Sequence, residues 1–217
     1  MIVVKFGGHA MKDENGAFAK AIAVAQRDGV ELVIVHGGGP QIDAALKSAA
    51  ITSEFVGGFR VTTPEIFDVV ERVLAGEVGP AVAQSLEREG VNAIAISGRK
   101  SGTLFAKPLK ALVDGTPADL GLVGVVTSVN SSSIMNAVAS RQVPVVSPIA
   151  CEESTDSGLN VNADLAAAAI AGALDAESLI IMTDVPGIYR NWPDKDSLID
   201  AICAEELESI KATFAEG

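Results

Sequence analysis

Lys5 stands at the end of the apolar run Ile2-Val3-Val4 and is followed by Phe6-Gly7-Gly8. An ammonium at the end of a buried strand is costly unless it is paired, and the glycines beyond it let a ligand approach the backbone closely. The pattern suits a cation that reaches phosphoryl oxygens and stabilises charge during transfer. It equally suits an edge lysine that snorkels to solvent above a turn. A second glycine-rich loop, His36-Gly37-Gly38-Gly39-Pro40-Gln41, follows Glu31-Leu32-Val33-Ile34-Val35. Consecutive glycines opening a helix present N–H groups to a phosphate or carboxylate. Their spacing is neither the dinucleotide fingerprint nor the nucleotide loop that ends in Gly-Lys-Ser/Thr. His36 reads as a hydrogen-bonded residue that shapes this loop rather than as a base.

Three more groups could do chemistry. Arg60, in Gly57-Gly58-Phe59-Arg60-Val61-Thr62, could grip a carboxylate through two parallel hydrogen bonds, or lie on the surface. Asn160 and Asp164 are four apart in Asn160-Val161-Asn162-Ala163-Asp164, a spacing that puts both on one face of a first helical turn. An aspartate there would hold lysines in position, whereas simple helix capping by Asn or Asp is the plainer reading. Finally, Thr183-Asp184-Val185-Pro186-Gly187-Ile188-Tyr189 follows an apolar run and could hold an adenine nucleotide or be an ordinary turn.

The elements that must position these residues repeat a simple unit: apolar run, glycine-rich loop, helical pattern. Strands are predicted at Ile2–Phe6, Glu31–Val35, Ala93–Ile96, Val143–Val146 and Ser178–Met182. Helices are predicted at about Ala17–Arg27, through Ile42 to Ala49, at about Pro64–Leu74 and Gly79–Glu89, and from a cap at Asn130 or Ser131 through Met135 to Ser140. Short apolar strands alternating with helices give an α/β fold with an open, mainly parallel sheet sandwiched between helices. Leu104–Leu109 and Leu122–Thr127 read differently, as an antiparallel hairpin through an Asp114-Gly115 turn, a decoration that could act as a lid. No linker or low-complexity tract divides the chain.

Composition agrees. Of 217 residues, 48% are hydrophobic and only 4% aromatic, so the core must be aliphatic, as in a sheet buried on both faces. The net charge of −12 argues against nucleic-acid partners and acidic membranes, since no basic stripe can release counterions. No signal peptide and no membrane-spanning run are evident. Cys151 and Cys203 lack metal-ligand spacing and read as reduced thiols of a cytoplasmic protein.

Taken in order, Val4-Lys5-Phe6-Gly7-Gly8-His9-Ala10-Met11, Val35-His36-Gly37-Gly38-Gly39-Pro40-Gln41-Ile42, Gly58-Phe59-Arg60-Val61-Thr62, Val73-Leu74-Ala75-Gly76, Ile96-Ser97-Gly98, Asn160-Val161-Asn162-Ala163-Asp164 and Thr183-Asp184-Val185-Pro186-Gly187-Ile188 resemble the amino acid kinase family. Within it they are most similar to the acetylglutamate kinases of arginine biosynthesis. The resemblance spans essentially the whole chain and implies a role for each matching position. Lys5 would stabilise the transferring phosphoryl group, with Asp164 orienting the catalytic lysines. Gly8, Gly38 and Gly39 would offer N–H groups, Arg60 would bind the α-carboxylate of N-acetyl-L-glutamate, and Asn160 would assist. Thr183, Asp184, Val185, Pro186, Gly187, Ile188 and Tyr189 would line the ATP site. Mg²⁺ would be held mainly by the nucleotide phosphates rather than by a protein cage. The expected division is an amino-acid-substrate lobe over about 1–150 and an incomplete ATP lobe over about 151–217, in a homodimer.

The match has departures. The sequence stops at Gly217, where the family continues with a Gly-Met-x-x-Lys segment carrying a second cation; the expectation is an omitted tail. It begins at the first strand, as the simpler dimers do. Arg99-Lys100-Ser101-Gly102 follows Ser97-Gly98, where the family commonly has an acidic residue and glycine. A kinase of a longer or carrier-attached amino-dicarboxylate in lysine biosynthesis, or a non-catalytic ligand-binding module, are the competing readings.

Overall fold

A computed structural model describes residues 1–7, 11, 13, 15–112, 114–183 and 185–210. Two of the expected site residues, Gly8 and Asp184, lie outside the described residues. The elements run β1 (Ile2–Phe6), α1 (Ala17–Arg27), β2 (Leu32–His36), α2 (Gly39–Ser48), β3 (Phe55–Val56), β4 (Phe59–Arg60), α3 (Pro64–Glu71), a π-helical segment (Arg72–Val78), α4 (Gly79–Arg88), β5 (Ala93–Ser97), β6 (Leu104–Pro108), β7 (Val123–Val129), α5 (Ser132–Ala139), β8 (Val143–Ser147), β9 (Ile149–Glu152), β10 (Gly158–Val161), α6 (Ala163–Ala173), β11 (Ser178–Met182) and α7 (Ala204–Ile210).

Five strands make a wholly parallel sheet in the order β11-β1-β2-β8-β5. Alternation along each strand sends residues to opposite faces. Val4, Phe6, Ile34 and Val145 pack against Ile22, Leu46, Val70 and Leu86 from helices on one side. Val3, Val33, Val35 and Val146 pack against Ile134, Ala167 and Ile170 of α5 and α6 on the other. The sheet sandwiched between helices is therefore as the apolar runs predict. No helix among the described residues is long and apolar enough to cross a membrane.

Two expectations need correction. The helices predicted at Pro64–Leu74 and Gly79–Glu89 form one continuous run, joined by the π-segment rather than separated. Gly79 N–H donates to Leu74 O, five residues back. Pro80 lacks an N–H and its ring would strike the carbonyl four residues earlier in a regular helix; the widened turns remove that clash without ending the helix. The supposed lid is also not a lid. β6 and β7 do pair antiparallel, but β9 and β10 close them into a four-stranded barrel. Leu104 and Ala106 are fully buried there, so this unit is part of the core.

Candidate active site

β1 and β2 end side by side, and their two glycine loops are tied together: Gly37 N–H donates to Phe6 O at 2.7 Å. The Lys5 side chain turns back across Gly7. A Cβ on Gly7 would stand 2.6 Å from Lys5 Cε and 2.7 Å from its Nζ, so this glycine makes room for the ammonium. Lys5 is only 9% exposed, and its Nζ lies 3.1 Å from Asp164 Oδ1. The approach has the distance of an ion pair but not the direction of a hydrogen bond, so among the described residues Oδ1 accepts none. Charge, not a directed bond, holds the two together.

The second loop leads into α2, with Gly38 at the N-cap position and Pro40 in the first turn, where its missing N–H is harmless. A Cβ on Gly38 would overlap Leu74 of the π-segment, so that segment presses directly on the loop. Gly39 has open space around its Cβ position. His36 is fully buried. Its Nδ1 donates to Gly37 O at 2.7 Å, because a carbonyl can only accept. Burial pushes its pKa down to about 4, partly opposed by that same bond. A neutral, loop-shaping imidazole is thus what the sequence predicts.

Arg60 is 6% exposed. Its Nη2 donates to Asp43 Oδ1 of α2 at 2.7 Å, its Nη1 to Ser53 Oγ at 2.6 Å, and its guanidinium lies 4.5 Å from the Phe55 ring centre. These contacts use two of a guanidinium's five N–H donors and fix the plane of the fork. Arg60 O accepts from Thr62 Oγ1 at 2.8 Å, and Thr62 Oγ1 accepts in turn from Asn160 Nδ2 at 3.2 Å. Arg60 and Asn160 are therefore brought together through Thr62.

Asn160 and Asp164 do not share a helix face as their spacing suggests. Asn160 is in strand β10, and α6 starts only at Ala163. The residue between them is the cap: Asn162 Oδ1 accepts from Asp164 N–H at 2.8 Å and Leu165 N–H at 3.2 Å. The helix start that the spacing assumed at Asn160 is displaced because Leu159 and Val161 are drawn into the barrel core.

The contacts close on themselves. From Lys5 they pass over Gly7 to Gly37, through the start of α2 to Asp43, to Arg60, Thr62 and Asn160, and along the β10–α6 turn to Asp164 and back. A ring with a cation at each of two positions and glycine loops on one side suits a ligand with two separated anionic groups.

The sequence profile of the amino acid kinase family matches residues 1–217. The chain belongs to the amino acid kinase family. An acetylglutamate kinase of Kineococcus radiotolerans is 44% identical over 225 residues, covering 100% of this chain and 75% of the relative. One from an Arthrobacter species is 45% identical over 223 residues, covering 100% and 72%. The crystal structure of smu.665 from Streptococcus mutans superposes with a TM-score of 0.77 at 33% identity, covering 86% of this chain and 74% of that one.

In this amino acid kinase, Thr183 follows Met182, the register partner of Phe6, so the start of the third loop lies beside the first glycine loop. Val185 and Ile188 are nearly half exposed. Ile188 O accepts from Ile199 N–H at 2.8 Å, Tyr189 bridges to Leu198, and Tyr189 meets Trp192 edge to face. Pro186 and Gly187 complete the turn, with Leu198 against Gly187. No hydrogen bond or ion pair among the described residues joins this loop to Lys5 or Arg60. Asp43, Ser53, Phe55 and Thr62 escaped the sequence reading. Thr62 carried one signal, being two residues from Arg60 on an extended segment; Asp43 carried none, since an acidic residue on a helix is ordinarily a solvated one.

Proposed function

We propose that this kinase transfers the γ-phosphoryl group of ATP to the side-chain carboxylate of N-acetyl-L-glutamate, the activation step of arginine biosynthesis. The observation that carries the reading is the closed ring from Lys5 to Arg60, which offers one cation to each end of a dicarboxylic acid. Arg60, its plane fixed by Asp43, Ser53 and Phe55, takes the α-carboxylate with its remaining donors, and Asn160 assists. The side-chain carboxylate then faces the glycine loops and Lys5. It is ionised at neutral pH and already nucleophilic, so no general base is needed. Its oxygen forms the new bond to phosphorus as the bond to the β–γ bridging oxygen breaks, and ADP leaves carrying that electron pair. No proton moves. Lys5, steadied by Asp164, and the N–H groups of Gly8, Gly38 and Gly39 meet the charge on the phosphoryl oxygens.

Gly7 leaves room for the Lys5 ammonium, and a cation held at the end of this strand is the kind of group the phosphates of ATP need. Mg²⁺, held mainly by the nucleotide phosphates, would supply further charge neutralisation there. In this reading residues 1–150 form the side that takes the acid and 151–217 the side that takes ATP, with Thr183 to Tyr189 along the nucleotide. The working form is a cytoplasmic homodimer. The test is trapping of the acyl phosphate with hydroxylamine in the presence of MgATP and N-acetyl-L-glutamate. Stoichiometric hydroxamate and ADP are expected. ADP without hydroxamate, or faster hydroxamate formation from the one-carbon-longer N-acetyl-aminoadipate, would overturn the assignment.

A further inference from the structure

Arg99, in the loop after β5, belongs to none of the site contacts yet is itself held from three sides. Its Nη1 lies 3.2 Å from both carboxylate oxygens of Glu71, at the end of α3. Its Nη2 donates to the backbone carbonyl of Asp156, in the β9–β10 turn, at 3.0 Å. Its guanidinium carbon lies 5.9 Å from the ring centre of Phe67, also on α3. The pair is no loose surface contact, since Arg99 and Glu71 side chains are only 28% and 16% exposed.

The turn that Arg99 grips is fixed at the same residue by a second contact. Asp156 has a left-handed backbone, φ 61°, and its Oδ1 accepts from Cys151 Sγ at 2.9 Å. Gly158, two residues on, is wedged into the corner that Arg99 and Phe67 make: a Cβ there would overlap the Phe67 ring and stand 3.1 Å from Arg99 Nη1. Two residues further, on the same face of the same strand, comes Asn160, bonded to Thr62. A single guanidinium thus spans from α3 to the turn that sets the height of β10.

We propose that Arg99 is a positioning residue: it clamps the β9–β10 turn onto α3 and thereby holds Asn160 at the acid-binding end of the site. The consequence for turnover rests on the function proposed above; the clamp itself does not. An arginine is required because its fork serves a carboxylate and a carbonyl at once, whereas an ammonium on a single stem has no such fixed fork. Loss of the clamp frees the turn locally, without unfolding the sheet.

Cys151 gives a readout independent of activity. It is 8% exposed, while Cys203 is exposed and serves as internal reference. In Arg99→Ala, alkylation of Cys151 by iodoacetamide, followed by peptide mass spectrometry, should accelerate about tenfold or more relative to Cys203. The KM for N-acetyl-L-glutamate should rise about five- to tenfold while kcat and the KM for ATP stay within about twofold. Glu71→Gln, which keeps the shape and removes the charge, should move both readouts the same way by less, and replaces Arg99→Ala if that variant fails to fold. Arg99→Ala also removes a cation that favours the Cys151 thiolate, so alkylation unchanged in both Arg99→Ala and Glu71→Gln, where the cation stays, refutes the clamp. Faster alkylation with an unchanged KM refutes the positioning role. If the wild-type protein makes no hydroxamate, the kinase assignment has failed, and the alkylation rates still decide the clamp.

Discussion

Replacing Lys5 by Met separates the two things a buried lysine can do. Its stem lies in β1 between β2 and β11, in register with Val35 and Ile181, and its ammonium sits 3.1 Å from Asp164. At that distance, with an effective dielectric of 20, the gross attraction is about 5 kcal/mol. Desolvating a 9%-exposed ammonium opposes it with a term of similar size; removing one partner of a fully buried pair costs about 3–5 kcal/mol because the other charge is stranded, but Asp164 is not fully buried. Methionine fills nearly the same space, and Asp164, whose side chain is 47% exposed, can take up water. The net change in stability should therefore be within about 1 kcal/mol, a Tm shift of roughly 2–4 °C for a chain of this size.

Catalysis has no such compensation. Methionine offers no charge to the phosphoryl oxygens, and losing one stabilising donor of this kind costs about 3–4 kcal/mol in the transition state, or 10²–10³ in kcat. Hydroxamate formation at saturating substrates and a thermal melt measure the two quantities on one sample. A loss of kcat below about tenfold in a variant that melts normally would mean that Lys5 is only a paired structural lysine. A drop in Tm beyond about 10 °C would refute the claim that attraction and desolvation nearly cancel.

Gly7→Ala should reproduce much of this kinetic loss with the lysine still in place, because the new methyl group would occupy the space within 2.7 Å of Nζ; an unchanged kcat would show that the ammonium does not act from this position. Arg60→Ala should raise the KM for N-acetyl-L-glutamate by about 10²- to 10⁴-fold, the worth of two charged hydrogen bonds at about 1.5–3 kcal/mol each, and leave the KM for ATP within about threefold; steady-state kinetics with each substrate varied would show any other pattern. His36 predicts acid sensitivity. Above pH 6.5 its imidazole is neutral in both folded and unfolded chains. As pH falls below 6.5 the unfolded chain takes up a proton that the buried ring refuses until about pH 4, so stability drops over that window by an amount on the order of 3 kcal/mol. Urea unfolding at pH 7 and pH 5 should show the loss in the wild type and a smaller one in His36→Gln; parallel curves would place the acid sensitivity elsewhere.

The inner strands were legible in the sequence because a strand buried on both faces needs an unbroken aliphatic run, and the edge strand β11 carries such a run although its Ile180 and Ile181 are exposed. Ile2–Phe6 and Ser178–Met182 were found residue for residue. The glycine loops were legible for a related reason, since nothing but glycine fits where Lys5 or Leu74 must lie. What stayed hidden depended on contacts distant in the chain. The barrel could not be read from β6 and β7, because its closure needs β9 and β10, which follow after an intervening helix and strand. The π-segment was hidden because Pro80 says only that a regular helix cannot pass, not that a wider one can. Asp43 and Arg60 are far apart in sequence, and only the fold of α2 against β4 makes them a pair.

The segment from Gly158 to Asp164 explains how a site this dependent on position can be held. Its even positions carry the chemistry: Gly158 against Phe67, Asn160 on Thr62, Asn162 capping α6, Asp164 paired with Lys5. Its odd strand positions, Leu159 and Val161, are 1% and 3% exposed and belong to the core beside α6. In a strand these two sets point to opposite faces, so a slip by one residue would expose both apolar side chains and bury Asn160. Burying a leucine and a valine is worth about 1.5–3 kcal/mol each, more than the about 0.5–1.5 kcal/mol of a single part-buried hydrogen bond such as that from Asn160 to Thr62. The register of the polar residues is therefore set by apolar neighbours that never touch a ligand. Among the described residues Asp164 Oδ1 accepts no hydrogen bond, and its position does not rely on having one.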